Sequence, residues 1–152
     1  MPTYVCSVPP NVVTPDQKSQ IAAAISKRHN EATGAPPFFV QVEINESATK
    51  TRFLGGSLAD RHIWIRGDIR AGRSEDVRQR LMLSIMRDVS RITNLQERDI
   101  WVYLCNLAPT DMVEYGHVLP QPGQEKTWFE SLPDELKTYL LNLGVDQNKF
   151  GL

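Results

Sequence analysis

The strongest constraint on the fold is an internal repeat with a spacing of 60 residues. Sliding the sequence on itself by that distance aligns secondary-structure signals without a gap, which indicates two copies of one structural unit. The matched segments are Tyr4-Val5 with Trp64-Ile65, Thr14-Pro15-Asp16 with Ser74-Glu75-Asp76, Thr33-Gly34 with Thr93-Asn94, and Val40-Gln41-Val42 with Ile100-Trp101-Val102. Each half therefore predicts a strand, a helix and a second strand.

Each predicted helix has recognisable ends in the sequence. Thr14 is the predicted N-cap of the first helix, and Gln17 follows three residues later, which makes a capping box. Gly34 is the predicted stop, because glycine adopts the left-handed conformation that ends many helices. The second helix is predicted to begin at Ser74 and to end at Asn94. The apolar faces are Ile21, Ala24 and Ile25 in the first helix, and Val77, Leu81, Ile85, Val89 and Ile92 in the second.

A helix joins the two strands of each half, which predicts parallel strand pairs with right-handed crossovers. Two such units form a four-stranded sheet with both helices on one face, an α/β (α+β) fold. With 152 residues, of which 41% are hydrophobic, the chain fits one domain with an adequate core. We therefore predict a single domain over residues 1–152, with repeat units at about 2–60 and 61–117 and a tail at 118–152.

The other face of the predicted sheet has no helix to cover it. The second predicted strand of the first unit alternates Phe38, Val40, Val42 and Ile44 with Phe39, Gln41 and Glu43, so one face is apolar and the other is mixed. In the second unit the mixed face carries Trp101 and Tyr103. Large uncovered apolar patches are rare on soluble monomers, so we predict a homo-oligomer in the form of a ring. We also expect the tail to pack on a neighbouring subunit, through a short helix that begins within Ser131–Glu135. The apolar side of that helix is Leu136, Tyr139, Leu140 and Leu143, and its stop is Gly144.

Composition argues against several classes of partner. The chain has 17 basic and 18 acidic side chains and no run of Lys and Arg longer than two, so we expect no nucleic-acid surface. No apolar stretch approaches the roughly 20 residues that span a bilayer, and a secretory pattern is absent, so we expect a soluble cytoplasmic protein without a membrane contact. Cys6 and Cys105 lack metal-ligand spacing and are predicted to be buried, reduced thiols. We expect neither a metal nor an organic cofactor.

Pro2 opens the first predicted strand. Removal of Met1, which is usual before a small residue, would leave a proline secondary amine that is anchored by a strand. Free α-amino groups titrate at about 7.7–8.0, and burial or nearby cations lower that value, so this amine could exchange protons near neutral pH. Met-Pro is also a common way to begin a chain. Retention of Met1 would turn the Pro2 nitrogen into a non-basic amide.

Five further polar residues are candidates for a site. Arg70 and Arg73 lie on a glycine-containing loop before the second helix, where guanidinium groups could clamp a carboxylate; a solvated loop with two surface charges is the alternative. His29 continues the buried face of the first helix, where a core histidine bonded to a backbone carbonyl is the commoner arrangement. Tyr103 is an ordinary residue for a half-buried strand. Glu114 is a lone carboxylate among apolar residues just past the last strand.

Together with Pro2, these residues resemble the pattern of the tautomerase superfamily, and within it most closely the cis-3-chloroacrylic acid dehalogenase family. The resemblance spans nearly the whole chain and includes the stretch Phe53-Leu54-Gly55-Gly56. It implies a tautomerase-like fold of two fused β-α-β units assembled as a homotrimer. It also implies a catalytic proline acid, a substrate carboxylate held by two arginines and a histidine, and a water molecule activated by a tyrosine and a glutamate. Pro2 matches the proline acid, and Arg70, Arg73 and His29 match the residues that hold the carboxylate. Tyr103 and Glu114 match the pair that activates water.

The resemblance implies cofactor-independent hydration of a small unsaturated carboxylic acid. A cis-3-haloacrylate or an acetylenic acid would give malonate semialdehyde, with Glu114 and Tyr103 activating water and Pro2 protonating the α-carbon. Two alternatives stay open. One is a keto-enol tautomerase of an arylpyruvate-type substrate with Pro2 as base, and the other is a non-catalytic carboxylate-binding trimer in which Met1 is retained.

Overall fold

The structure, a computed structural model, describes residues 2–49 and 51–143. Three short 3₁₀ turns, Pro37–Phe39, Glu97–Asp99 and Pro109–Asp111, connect the longer elements. The strands are β1 (Thr3–Val8), β2 (Gln41–Glu46), β3 (Phe53–Leu54), β4 (Ser57–Leu58), β5 (Ile63–Arg70), β6 (Ile100–Leu107), β7 (Val113–Glu114) and β8 (His117–Val118). The helices are α1 (Pro15–Thr33), α2 (Glu75–Thr93), α3 (Glu125–Glu130) and α4 (Asp134–Asn142).

The four long strands form one sheet in the order β2-β1-β5-β6. β1 pairs in parallel with β2 and β5 in parallel with β6, while β1 and β5 run antiparallel in the middle. Tyr4, Cys6 and Ile65 from the central strands share one core with Ile25 of α1 and Leu81 of α2, so both helices cover the same face. The predicted fold of two β-α-β units is confirmed.

The helix ends form as the sequence predicted. Thr14 Oγ1 accepts a hydrogen bond from the Gln17 backbone N–H at 3.2 Å, and Gln17 Oε1 accepts one from the Thr14 N–H at 3.0 Å. Gly34 and Asn94 have the left-handed φ values of 69° and 56° that end the two helices. The Gln17 amide also donates to the Ile92 carbonyl at 2.8 Å, so the start of α1 is tied to the end of α2.

The repeat includes a pair of hairpins that the sequence analysis did not identify. Hairpin β3-β4 turns at Gly55 and Gly56, and hairpin β7-β8 turns at the equivalent residues Tyr115 and Gly116. All four turn residues have φ values between 54° and 79°, as in type I′ hairpins. Each unit therefore continues past its second long strand into a hairpin.

The Phe38-Phe39 pair lies in a turn and not in the predicted strand. Residues Pro37–Phe39 form a 3₁₀ turn, and strand pairing begins at Gln41. The consecutive prolines at 36 and 37 fix φ near turn values, and the Val40 N–H closes the turn on the carbonyl of residue 37 at 2.9 Å. Both phenylalanine side chains are buried as a result, instead of alternating between the two sheet faces.

The face of the sheet opposite the helices is uncovered in the chain, as predicted. Trp101 and Tyr103 stand on it with 42% and 48% of their surface exposed, and their rings stack at a centroid distance of 6.4 Å. Phe53 and Val113 on the two hairpins are more exposed still. So many exposed large apolar side chains are unusual for a monomer.

The described part of the tail packs on its own chain. α3 and α4 bury Phe129 and Leu140 in a second core with Phe38 and Phe39. α4 is the helix that the sequence predicted, and Leu140 comes from its predicted apolar side. Contact with a neighbouring subunit stays a prediction, and the predicted stop at Gly144 lies outside the described residues.

Both cysteines are free thiols in the structure. Cys6 is a buried free thiol as predicted, whereas Cys105 is free but only half-buried, because it lies on the uncovered sheet face. None of the described helices is long and apolar enough to cross a membrane. Over residues 2–49 and 51–143, His, Cys, Asp and Glu side chains form no group that could hold a metal ion.

An ion pair joins the two helices at equivalent positions of the repeat. Arg28 Nε donates to Oδ2 of Asp88, 60 residues away, at 2.6 Å, and Arg91 adds a bond of 2.9 Å to the same carboxylate. The hydrogen bond from Arg28 is the main cause that holds the pKa of Asp88 below its ordinary value. The pair marks a pseudo-twofold axis between the units, and no sequence pattern indicated it.

We predict that Asp88→Asn lowers the free energy of unfolding by about 1.5–3 kcal/mol at pH 7, because it removes a nearly buried charged acceptor from Arg28. The control Glu31→Gln removes the exposed partner of the same arginine and should cost less than about 1 kcal/mol. Because the native pKa of Asp88 is lowered, its contribution is complete above about pH 4 and is lost as the pH falls further. Urea unfolding at pH 7 and pH 3 measures both effects, and equal costs for the two variants would contradict the prediction.

Candidate active site

Four of the six predicted site residues meet at one end of the sheet. Pro2 precedes β1, His29 lies near the end of α1, Arg70 ends β5, and Arg73 lies in the loop before α2. Together they line a narrow cavity of about 10 Å³, which is roughly the space of one water molecule. Pro2, His29 and Arg70 are buried, and Arg73 is half-buried.

His29 is a neutral hydrogen-bonding group in this cluster. Burial first, and then the charges of Arg73 and Arg70, lower the pKa of the imidazole to about 3. Its Nδ1 lies 2.8 Å from the Tyr4 hydroxyl, so the partner is a side chain and not the backbone carbonyl expected of a core histidine. With the hydroxyl donating to Nδ1, the neutral ring carries its proton on Nε2 and can donate it to an anion.

Tyr4 is a supporting residue that sequence reasoning missed. Burial raises the pKa of its hydroxyl, which therefore stays protonated and able to donate to His29. A Cβ atom at Gly67 would lie 2.5 Å from Tyr4 Cε1 and 2.8 Å from Leu104 Cδ2, so glycine is needed to leave room for the ring. The only sequence signal was the alternation that puts Tyr4 on the helix-covered face.

Arg70 is held by the tail. One guanidinium nitrogen donates to the Pro120 carbonyl at 2.7 Å, and another pairs with the carboxylate of Glu125. Its Nε is buried and has no hydrogen-bond partner in the part of the chain that the structure describes. A buried unpartnered N–H is costly, so an acceptor from a bound ligand would be favourable here. Glu125 was not identified from the sequence, because nothing local links it to Arg70.

Arg73 is the second cation of the cluster. It donates to the Thr33 carbonyl at 3.3 Å and has no carboxylate partner among the described residues. Burial, and then the neighbouring charge of Arg70, lower its pKa below the ordinary value, although a guanidinium still stays charged. Arg73 and Arg70 thus lie together on one cavity, and their binding of an anion stays a prediction.

Glu114 lies on the other side of the Phe38-Phe39 turn. It is half-buried on β7 and lines a separate cavity of about 670 Å³ together with Thr3, Phe39 and Tyr115. Because Thr3 directly follows Pro2, this cavity reaches the beginning of β1. Glu114 therefore lines a cavity at the beginning of β1 that is separate from the one lined by the cluster.

Tyr103 is not brought to the cluster within one chain. It pairs with Arg66 across β5-β6, and Arg66 pairs with Val5 of β1. Two strand spacings and three residues along β1 then separate Tyr103 from Pro2, which corresponds to about 14 Å between their Cα atoms. The tyrosine ring also stands on the uncovered face, whereas Pro2 shares the alternation of buried Tyr4.

We predict that the His29 ring signals do not titrate between pH 5 and 8 in a histidine-detected NMR experiment, because its native pKa is about 3. Since an unfolded histidine titrates near 6.5, the unfolded state binds more protons between those values. Stability should therefore fall as the pH drops from about 6.5 towards 3, and His29→Gln should weaken this dependence. A native midpoint near 6.5 would contradict the assignment of a neutral imidazole.

Comparison with known proteins agrees with the fold described above. Residues 1–131 match the family model Tautomerase_3, described as "Putative oxalocrotonate tautomerase enzyme". No curated protein matches the sequence. The crystal structure of N1, a member of the cis-3-chloroacrylic acid dehalogenase family, is similar with a TM-score of 0.89 and 32% identity, covering 93% of this chain and 99% of N1.

Two further solved structures show the same fold at lower similarity. Native Ps01740 has a TM-score of 0.71 and 26% identity, covering 74% of this chain and 99% of its own. A fused 4-OT wild type symmetric trimer has a TM-score of 0.71 and 22% identity, and the match covers 77% of this chain and 94% of the 4-OT chain. At this identity the likeness shows the fold alone. The family match and the likeness to N1 show that the chain belongs to the tautomerase superfamily and is similar to the cis-3-chloroacrylic acid dehalogenase family.

Proposed function

We propose that the chain is an enzyme that adds water to a small unsaturated carboxylic acid, with Pro2 as the proton donor and without a cofactor. The observation that carries the proposal is the convergence of Pro2, His29, Arg70 and Arg73 on one cavity. N1, the similar protein, is a member of a dehalogenase family, which supports the same class of reaction. The proposed substrates are cis-3-haloacrylates and acetylenic acids.

The proposed reaction begins with the substrate carboxylate at the two arginines. Arg73 supplies a guanidinium and Arg70 supplies its Nε–H, neither of which meets a carboxylate of the described residues, and His29 can donate from Nε2. Attack of water at the β-carbon moves negative charge towards the carboxylate and α-carbon, where these fixed donors stabilise it. Such preorganised groups contribute most of the rate enhancement in many enzymes.

Two proton transfers complete the hydration. Glu114 accepts a proton from the attacking water, and protonated Pro2 gives a proton to the α-carbon, so the two groups hold opposite protonation states. An acetylenic acid then becomes an enol that ketonises to malonate semialdehyde. A 3-haloacrylate gives a halohydrin, which releases the halide and a proton and forms the same aldehyde.

We propose that the protein acts as a homotrimer in the cytoplasm. The exposed Trp101 and Tyr103 provide an apolar surface for assembly, and the fold resembles that of a fused 4-OT trimer. Because about 14 Å separates Tyr103 from Pro2 of the same chain, Tyr103 can assist water activation only at the site of a neighbouring chain. In this proposal, assembly is a condition of full activity.

A tautomerase is the second candidate. Pro2 is buried beside Arg70 and Arg73, and both burial and neighbouring cations favour a neutral amine, which is the form required of a base. A neutral Pro2 could ketonise the enol of an arylpyruvate, and Glu114 would then take no part. A non-catalytic carboxylate-binding trimer is the outcome if Met1 is retained, and an intact-mass measurement distinguishes that case.

We predict that protein whose loss of Met1 is confirmed by mass converts propiolate and cis-3-chloroacrylate to malonate semialdehyde in a proton NMR time course. Enol-phenylpyruvate serves as the parallel substrate for the second candidate. Ketonisation alone would reject water addition and favour the tautomerase. Silence with all three substrates would reject both catalytic proposals.

We predict that Pro2→Ala and Arg73→Ala each lower kcat/KM for hydration by about 100-fold or more, because the first replaces the rigid proline amine with a mobile primary amine and the second removes the anion partner. The control Arg87→Ala removes an exposed arginine from α2 and should leave the rate unchanged. Glu114→Gln should abolish hydration but spare any ketonisation of enol-phenylpyruvate. Loss of both activities in the Glu114 variant would contradict its role in water activation.

A further inference from the structure

The cavity at Pro2 shares two lining residues with a much larger cavity. The Pro2 cavity itself measures about 10 Å³, whereas the adjoining cavity measures about 480 Å³. Thr33 and Arg73 line both, so a carboxylate at Arg73 has open space beside it. Cavities of a few hundred Å³ are typical of sites for ligands much larger than a three-carbon acid.

The larger cavity has an aromatic wall. Phe38 and Phe39 from the 3₁₀ turn and Phe129 from α3 line it, together with Pro36. The rings of Phe38 and Phe129 lie 6.5 Å apart between centroids, and those of Phe38 and Phe39 lie 4.3 Å apart. Such a surface suits a flat apolar group, because aromatic rings stabilise one another when they are offset or tilted.

The second repeat unit supplies an internal control for this wall. A cavity of about 490 Å³ occupies the equivalent place, where His62 stands at the position of Pro2. There, Gln96, Arg98 and Asp99 take the positions of Pro36, Phe38 and Phe39. The fold therefore tolerates polar residues at these positions, and the aromatic wall is a property of the proline end alone.

Charge in the site matches a monoanion. Glu125 already pairs with Arg70, so its carboxylate offsets one of the two guanidinium charges. Arg73 remains as the cation without a carboxylate partner within the described ranges. Lys126 also lines the cavity but lies 3.9 Å from Glu130, at a largely exposed position. A half-buried guanidinium without an ion-pair partner among the described residues favours one carboxylate on the ligand.

We propose that the substrate is a monocarboxylate that carries an aromatic ring beyond its reacting carbons. Its carboxylate pairs with Arg73 beside Pro2, and its ring fills the cavity against Phe38, Phe39 and Phe129. The inference rests on the proposed function for the reaction and adds the substrate class. For a 3-aryl acetylenic acid, water oxygen bonds to the β-carbon while water gives a proton to Glu114 and one π bond breaks. The α-carbon takes a proton from Pro2, and the enol ketonises to a β-keto acid.

Binding of two unreactive acids tests this substrate class. Isothermal titration of the Met-free protein with 3-phenylpropionate and propionate should show about 10-fold to 100-fold tighter binding of the aromatic acid, since the ring is removed from water. Phe129→Leu should reduce this preference at least threefold. The control Phe53→Leu makes the same change at an exposed phenylalanine that does not line the cavity, and it should keep the preference. If Phe129→Leu fails to fold, Phe38→Leu changes the same wall.

Turnover in the same preparations separates this inference from the proposed reaction. Three results together support both the reaction and the substrate class. They are hydration of propiolate, tighter binding of 3-phenylpropionate than of propionate, and faster turnover of 3-phenylpropiolate than of propiolate. Equal affinities of the two probes overturn the substrate class even if propiolate is hydrated. A preference that Phe129→Leu removes, without hydration of either acetylenic acid, supports the substrate class and rejects the reaction.

Discussion

The antiparallel register of β1 and β5 is the constraint on which the site depends. Thr3 lies opposite Asp68, so Pro2 at the start of β1 meets the end of β5, where Arg70 stands. The same pairing puts Tyr4 opposite Gly67, the residue that leaves space for its ring. A slip of one residue would turn Tyr4 to the uncovered face and remove the partner of His29. The pairing of the two repeat units thus creates the site.

Buried charge in the site is balanced by groups from distant parts of the chain. Arg70 is neutralised by Glu125 from the tail, and His29 avoids a third positive charge because burial and the arginines keep it neutral. Arg73 is half-buried and has no carboxylate partner in the part of the chain that the structure describes, so a bound carboxylate would add a charge-assisted contact there. The tail consequently has two roles, since it holds Arg70 and supplies part of the aromatic wall through Phe129.

Local signals predicted most of the fold, and long-range contacts account for what was missed. Thr14 and Asn94 could be identified as helix ends because capping depends on a few neighbouring residues. Asp88 and Glu125 could not be identified as partners of Arg28 and Arg70, because each carboxylate lies 55 or more residues from its arginine in the sequence. Phe38 and Phe39 fit the alternating pattern of the strand that follows them and were therefore predicted as part of it. The two preceding prolines were the only sequence signal for a turn. The site residues were found through a family resemblance that their spacing alone did not establish.

The protonation state of Pro2 decides between the two reactions that this pocket could support. The arginines favour a neutral amine, whereas the carboxylate of Glu125, which pairs with Arg70, offsets part of their charge. The most direct measurement is a ¹⁵N NMR titration of the Pro2 nitrogen in Met-free protein labelled at proline. Our account predicts a midpoint at or above neutral pH, since a proton donor must be charged when the reaction begins. A midpoint below about 6 would show a neutral base at physiological pH and would contradict water addition with Pro2 as the acid.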